Sequence, residues 1–183
     1  LGGTINLVRK KPTHDFHGHI TTGAGSWDNY RTEADVSGPL TDSGNVRGRA
    51  VAAYQDRQSY IDRYSNQSSV FYGILEADLT PDTLLTVGAD YQDNRPQGST
   101  WSGSFPLYNY AGEINDAKRS FSNATDWSSW QQYTRTVFAT LEQDLGGGWV
   151  GKLQLDHKLN GYDAQLGAIQ FNQPAADGTA TIN

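Results

Sequence analysis

In the run Trp149-Val150-Gly151-Lys152-Leu153-Gln154-Leu155-Asp156-His157-Lys158, Trp149, Gly151, Leu153 and Leu155 occupy one phase, and Lys152, Gln154, Asp156 and Lys158 the other. Side chains of an extended strand point alternately to opposite faces, so this period of two collects the lysines and the aspartate on one side. The pattern recurs upstream. Val46, Gly48, Ala50, Ala52 and Tyr54 oppose Arg47 and Arg49. Phe71, Gly73, Leu75, Ala77 and Leu79 oppose Glu76 and Asp78. Leu85, Val87, Ala89 and Tyr91 oppose Thr86, Gly88, Asp90 and Gln92, and Val137, Ala139 and Leu141 oppose Thr140, Glu142 and Asp144. Residues 16–26 and 30–38 follow the rule less sharply. The alternation predicts an all-β chain of about seven strands.

Alternation alone serves a soluble sandwich and a membrane barrel equally. The connections separate them, because short and long ones take turns. Short ones are Thr41-Asp42-Ser43-Gly44-Asn45, Thr80-Pro81-Asp82-Thr83 and Gly146-Gly147-Gly148. Long ones are expected at 56–68, at 93–132 and from Asn160 onward. Outer-membrane barrels have short periplasmic turns and long extracellular loops, whereas a compact soluble domain seldom carries a structureless loop of roughly 40 residues. Ser26–Asn29 is the exception, a tight turn on the long-loop side. Phe16, Tyr54, Phe71, Tyr91 and Trp149 stand near strand ends, where interfacial aromatic girdles form. The expectation is a fragment of a transmembrane antiparallel β-barrel, since about seven strands do not close one and bacterial barrels use even numbers.

The composition agrees. The 183 residues carry a net charge of −6, are 36% hydrophobic, and include 20 Gly, 10 Tyr and 5 Trp. No apolar run approaches the roughly 20 residues of a membrane helix, which leaves strands of about 9–11 residues free to span. There is no cysteine, so disulfides and thiolate metal sites are excluded. The acidic balance argues against nucleic acid as a partner, and Arg9-Lys10-Lys11 is too short for a nucleic-acid patch. Leu1 in place of a starting Met, and an end at Asn183 without a stop signal, are expected of a piece of a longer chain.

No catalytic constellation emerges, so the chain is not expected to be an enzyme. No Ser stands in a nucleophile elbow, and neither Gly23-Ala24-Gly25 nor Gly146-Gly147-Gly148 opens a helix as a phosphate loop would. His14, His17 and His19 lie close together, but only His17 and His19 share a strand face, so polar residues of a lumen or an interface are favoured over a metal site. The stretch 93–132 is unusual. It holds Trp101, Phe105, Tyr108, Tyr110, Phe121, Trp127 and Trp130. Exposed aromatics cost solubility unless they pack or meet a ligand. Trp127 and Phe121 are expected to pack the loop against itself, and Trp101 and Trp130 to meet a ligand.

The run Gly3-Thr4-Ile5-Asn6-Leu7-Val8-Arg9-Lys10-Lys11-Pro12-Thr13 resembles the last plug strand of TonB-dependent siderophore receptors, where it leads into the barrel. Gly23–Tyr30 and Val36–Leu40 look like the first barrel hairpin of that family, and Gly44–Gln55 like its third strand. Trp101-Ser102-Gly103-Ser104-Phe105-Pro106-Leu107 and Trp127–Phe138 resemble the ferripyoverdine receptors of fluorescent pseudomonads. The resemblance covers essentially the whole chain.

It implies residues 1–13 as the end of a plug domain and 14–183 as the first strands and extracellular loops of an incomplete barrel in the outer membrane of a Gram-negative cell. It implies import of a ferric siderophore energised by TonB, with contacts to TonB outside this stretch and lipid around the barrel. The iron would arrive saturated by siderophore oxygens, so no cofactor or protein metal ligand is implied. By position, Trp101 and Trp130 match tryptophans of the family's ligand pocket, and Gln173 stands where a third is found, after Leu166-Gly167-Ala168-Ile169. A passive porin and a soluble sugar-binding sandwich are the competing readings. A porin lacks a plug, and a sandwich would bury Leu85, Val87, Leu153 and Leu155 against a second sheet.

Overall fold

The computed structural model describes residues 8–101 and 106–167. Seven antiparallel strands pair in chain order as one meander: β1 (His17–Gly25), β2 (Asn29–Pro39), β3 (Val46–Gln58), β4 (Ser65–Thr80), β5 (Thr83–Gln97), β6 (Ser129–Gly146) and β7 (Trp149–Gln165). No helix is long and apolar enough to cross a membrane among the described residues, which says nothing of strands. Leu1–Leu7, including the first five residues of the plug-like motif, lie outside the described residues.

The register aligns the alternating faces across the sheet. Ala50 pairs with Gly73, Gly73 with Ala89 and Ala89 with Val137, all in the apolar phase. Arg47 pairs with Glu76, Glu76 with Thr86, Thr86 with Thr140 and Thr140 with Gln154, all in the polar phase. A slip of one residue would mix the faces, so the pattern itself holds the register.

Burial is inverted relative to a water-soluble domain. Buried side chains are mostly polar, with Asp35, Ser37, Arg47, Glu76, Thr86, Thr136 and Thr140 on one face beside Ile74 and Phe138. The apolar phase is open, with Leu153 at 60% and Leu155 at 64% exposure. A sandwich would cover these leucines with a second sheet, and the described residues form only one. Lipid is the medium that suits such a face. The polar face is the lumenal side.

The extracellular connections are shorter than expected. β3 to β4 is joined by 59–64 and β5 to β6 by 98–128, because the strands continue well beyond the last alternating residue. Backbone hydrogen bonds need no side-chain pattern, so where both faces are wet the ladder persists after the alternation stops. The β1–β2 turn has Trp27 (φ 59°) and Asp28 (φ 48°) both left-handed, the I′ arrangement that matches strand twist. At the opposite end β4 and β5 join through Pro81-Asp82, and β6 and β7 through Gly147-Gly148.

Candidate functional site

Residues 8–13 cross the lumenal face as a strap. The Arg9 guanidinium stacks 4.0 Å from the Phe138 ring centroid on β6 and pairs at 2.7 Å with Asp156 on β7. Lys10 Nζ lies 2.8 Å from Asp35 and 3.8 Å from Glu33 on β2, and Lys11 lies 3.7 Å from Glu76 on β4. Backbone contacts reinforce this. The Tyr72 hydroxyl donates to the Lys10 carbonyl at 2.7 Å, Arg49 donates to the Lys11 carbonyl at 3.0 Å, and the Thr13 amide donates to Ser37 Oγ at 2.9 Å. All three cations are thus engaged by the wall. Exposed pairs such as Arg9–Asp156 are screened by water and hold the strap only weakly. The buried Asp35 is different, since Arg49 reaches both its oxygens at 2.9 and 2.7 Å, and charge-assisted forks of this kind are the strong ones.

His19, Glu33 and Asp35 bring ligand atoms within 4.8 Å of one another. The carboxylates there already face Lys10 and Arg49, so the cluster is an ion-pair network closed by the protein's own cations. His17 and His19 pair with Ser37 and Asp35 and so take the lumenal phase.

A second feature lies at the extracellular mouth. A cavity of about 610 Å³ is bounded by Arg57, Tyr64, Asn66, Asn94, Pro96, Trp130 and Gln132, within the range of small-molecule sites. The register explains the convergence. Arg57 pairs with Asn66, Asn66 with Pro96, and Asn94 with Gln132, so the wet extensions of β3 to β6 place their lumenal side chains in one band. Trp130, second residue of β6, forms one wall, and Trp101 stacks on it with centroids 6.3 Å apart and planes 16° from parallel. Trp101 remains 69% exposed. The pair presents a broad apolar face beside amide and guanidinium donors, suited to a flat conjugated group with polar appendages.

The 98–128 loop is braced from the neighbouring β3–β4 connection. Arg63 donates to the carbonyls of Ser122 and Ala124 and pairs with Asp126 at 2.8 Å. Gly98 makes this possible. It adopts φ +65°, and a Cβ there would collide with the Arg63 carbonyl. Tyr60 joins Trp27 (6.2 Å) and lies under Arg119 (5.2 Å), tying the turn, the short connection and the long loop together.

The structure therefore brings Trp101 and Trp130 together, while Gln173 lies outside the described residues. Phe121 lines the cavity. Trp127 does not pack inward, remaining 55% exposed. Sequence reasoning missed Arg57, Asn66, Asn94 and Gln132, whose only sequence signal is that they continue the lumenal phase beyond the membrane.

No protein-family model matches the chain. The ferripyoverdine receptor of Pseudomonas aeruginosa is 69% identical over 182 residues, all of this chain and 22% of that protein. The ferric-pyoverdine BN7/BN8 receptor of Pseudomonas putida is 48% identical over 160 residues, 87% of this chain and 20% of that protein. The crystal structure of the Pseudomonas aeruginosa outer-membrane ferripyoverdine receptor bound to ferripyoverdine matches with a TM-score of 0.94 and 69% identity, covering 100% of this chain and 24% of that one. The chain thus spans about a fifth of the length of the curated relatives it matches.

Proposed function

Because this chain belongs to the ferripyoverdine-receptor branch of the TonB-dependent outer-membrane receptors, we propose that it forms the end of the plug and the first strands of a barrel that imports a ferric siderophore of the pyoverdine type. The barrel lies in the outer membrane, with β1 to β7 crossing it. Residues 1–13 are read as the plug's end and 14–183 as barrel. The strap supports that division, because 8–13 lies across the lumenal wall whereas a porin would keep its lumen clear.

The stacked Trp101–Trp130 pair at the mouth of a lumenal cavity carries the binding reading. A planar chromophore stacking on indole gains about 0.5–1.5 kcal/mol beyond area burial, at small entropic cost to the rigid ring. Arg57, Asn66, Asn94 and Gln132 offer donors and acceptors for a polar peptide arm. Gln173 is assigned to the same pocket by position. The iron is cargo, held by siderophore oxygens, so binding needs no metal ligand from this chain. TonB, acting through parts of the receptor outside this stretch, supplies the energy for passage.

The test is a titration of ferripyoverdine against the fluorescence of full-length receptor. Trp101→Ala and Trp130→Ala are each expected to weaken binding about tenfold, equivalent to about 1.4 kcal/mol, with folded barrel preserved. Trp149→Ala, at the opposite end beside the Gly147-Gly148 turn, is expected to lower the yield of folded barrel and leave affinity alone. Impaired binding in Trp149→Ala only would overturn both the site and the topology.

A further inference from the structure

The lipid-facing phase of β6, followed outward from its turn, reads Leu145, Gln143, Leu141, Ala139, Val137 and then Arg135, the first charge on that face. On β5 the same phase runs Leu85, Val87, Ala89 and Tyr91, and Tyr91 pairs with Arg135. The change from apolar to polar on the two strands thus falls on one row. Arg135 is eleven residues from Gly146, about 36 Å along the strand at roughly 3.3 Å per residue. With a tilt of about 40° this is about 28 Å along the barrel axis, just beyond an apolar band about 25 Å tall. Arg135 stands at the outer-leaflet boundary.

Its surroundings are complete on both sides, since β5 and β7 flank β6. Two tyrosines frame the guanidinium, with Tyr91 at 5.5 Å and Tyr133 at 5.2 Å from ring centroid to Cζ. Tyr133 is held in turn against Gly161 of β7, where any Cβ would collide with its ring. Among the described residues Arg135 forms no ion pair. The nearby Asp93 is taken by Arg95 at 2.7 Å and Gln131 at 2.9 Å. Its neighbour Arg95 is therefore neutralised, and Arg135 is not.

Directly below, the paired residues Ala50, Gly73 and Ala89 floor an apolar groove on the lipid face, with Leu75, Val87 and Val137 as walls. An unneutralised guanidinium with parallel donors, held by aromatic faces above an apolar groove, matches an amphiphile with an anionic oxygen-rich head. We propose that Arg135, framed by Tyr91 and Tyr133, docks a phosphate group of an outer-leaflet lipid whose acyl chain lies in this groove. The inference rests on the outer-membrane placement and is independent of the siderophore pocket on the opposite face.

The experiment uses full-length receptor in detergent, titrated with a bisphosphorylated, acylated glucosamine disaccharide and with its dephosphorylated form. Wild type is expected to bind the phosphorylated lipid about tenfold more tightly. Arg135→Gln is expected to abolish that preference, and Arg135→Lys to keep part of it. Ferripyoverdine binding, measured in parallel, reports that each variant is folded. Wild type that does not distinguish the two lipids overturns the proposal, as does a preference surviving in Arg135→Gln. Displacement of the lipid by excess inorganic phosphate overturns the lipid as occupant in favour of a free anion.

Discussion

Leu155 and Gln154 are adjacent on β7, yet the structure puts them in different solvents. Leu155 is 64% exposed in the outward phase and pairs with Ala139, while Gln154 takes the lumenal phase and donates to Asp156 at 2.6 Å. Leu155 lies six residues beyond Trp149, about 15 Å up the barrel axis at roughly 3.3 Å per residue and a tilt of about 40°. That is near the middle of an apolar band about 25 Å tall, where an introduced Arg costs about 2–4 kcal/mol. At about 1.4 kcal/mol per tenfold, Leu155→Arg should shift the folding equilibrium of the full receptor roughly 30- to 700-fold. Gln154→Arg places its guanidinium beside Asp156 and Glu142 in a wet lumen and should cost less than about 1 kcal/mol. The assay is urea titration of the receptor in lipid vesicles, with the folded fraction read from heat-modifiable gel mobility. Equal costs, or a larger cost for Gln154→Arg, would refute the assignment of faces.

Gly88→Ala would place a methyl into the Phe138 ring and 2.7 Å from the Gly73 carbonyl oxygen, so the ring and the Arg9 stacked on it must move. The expected destabilisation is about 1–3 kcal/mol in the same urea assay. Gly73→Ala, whose methyl meets nothing within 4 Å, should cost far less, and similar costs would show that Phe138 does not lie over Gly88. Expressed alone in water without detergent, residues 1–183 should aggregate, because among the described residues β1 and β7 are unpaired edges and the outward face is apolar. A monodisperse, cooperatively melting monomer would overturn the barrel assignment.

The strands were legible because lipid and lumen are solvents of opposite character, so each spanning residue declares its side. The alternations at Val46–Tyr54, at 71–79 and from Trp149 therefore located β3, β4 and β7 and the face each residue takes. Outside the membrane both faces meet water and the code lapses. For that reason the ends of β3, β4, β5 and β6, and with them Arg57, Asn66, Asn94 and Gln132, could not be placed by pattern.

Trp101 and Trp130 stood out as aromatics without an apolar phase to occupy, and resemblance named them as pocket residues. That they stack on each other with centroids 6.3 Å apart is visible only in the folded loop. Arg9, Lys10 and Lys11 read in sequence as a bare basic run. Only the folded sheet supplies Asp156, Asp35 and Glu76, from strands 147, 25 and 65 positions away along the chain. Arg135 likewise looks like one polar residue among several until the register sets it beside Tyr91 on the lipid face. Sequence determines the period, and hence the faces and the membrane, because each residue's solvent is a local property. Which charges meet is settled by the tertiary structure, because pairing across strands depends on register and curvature that no single strand contains.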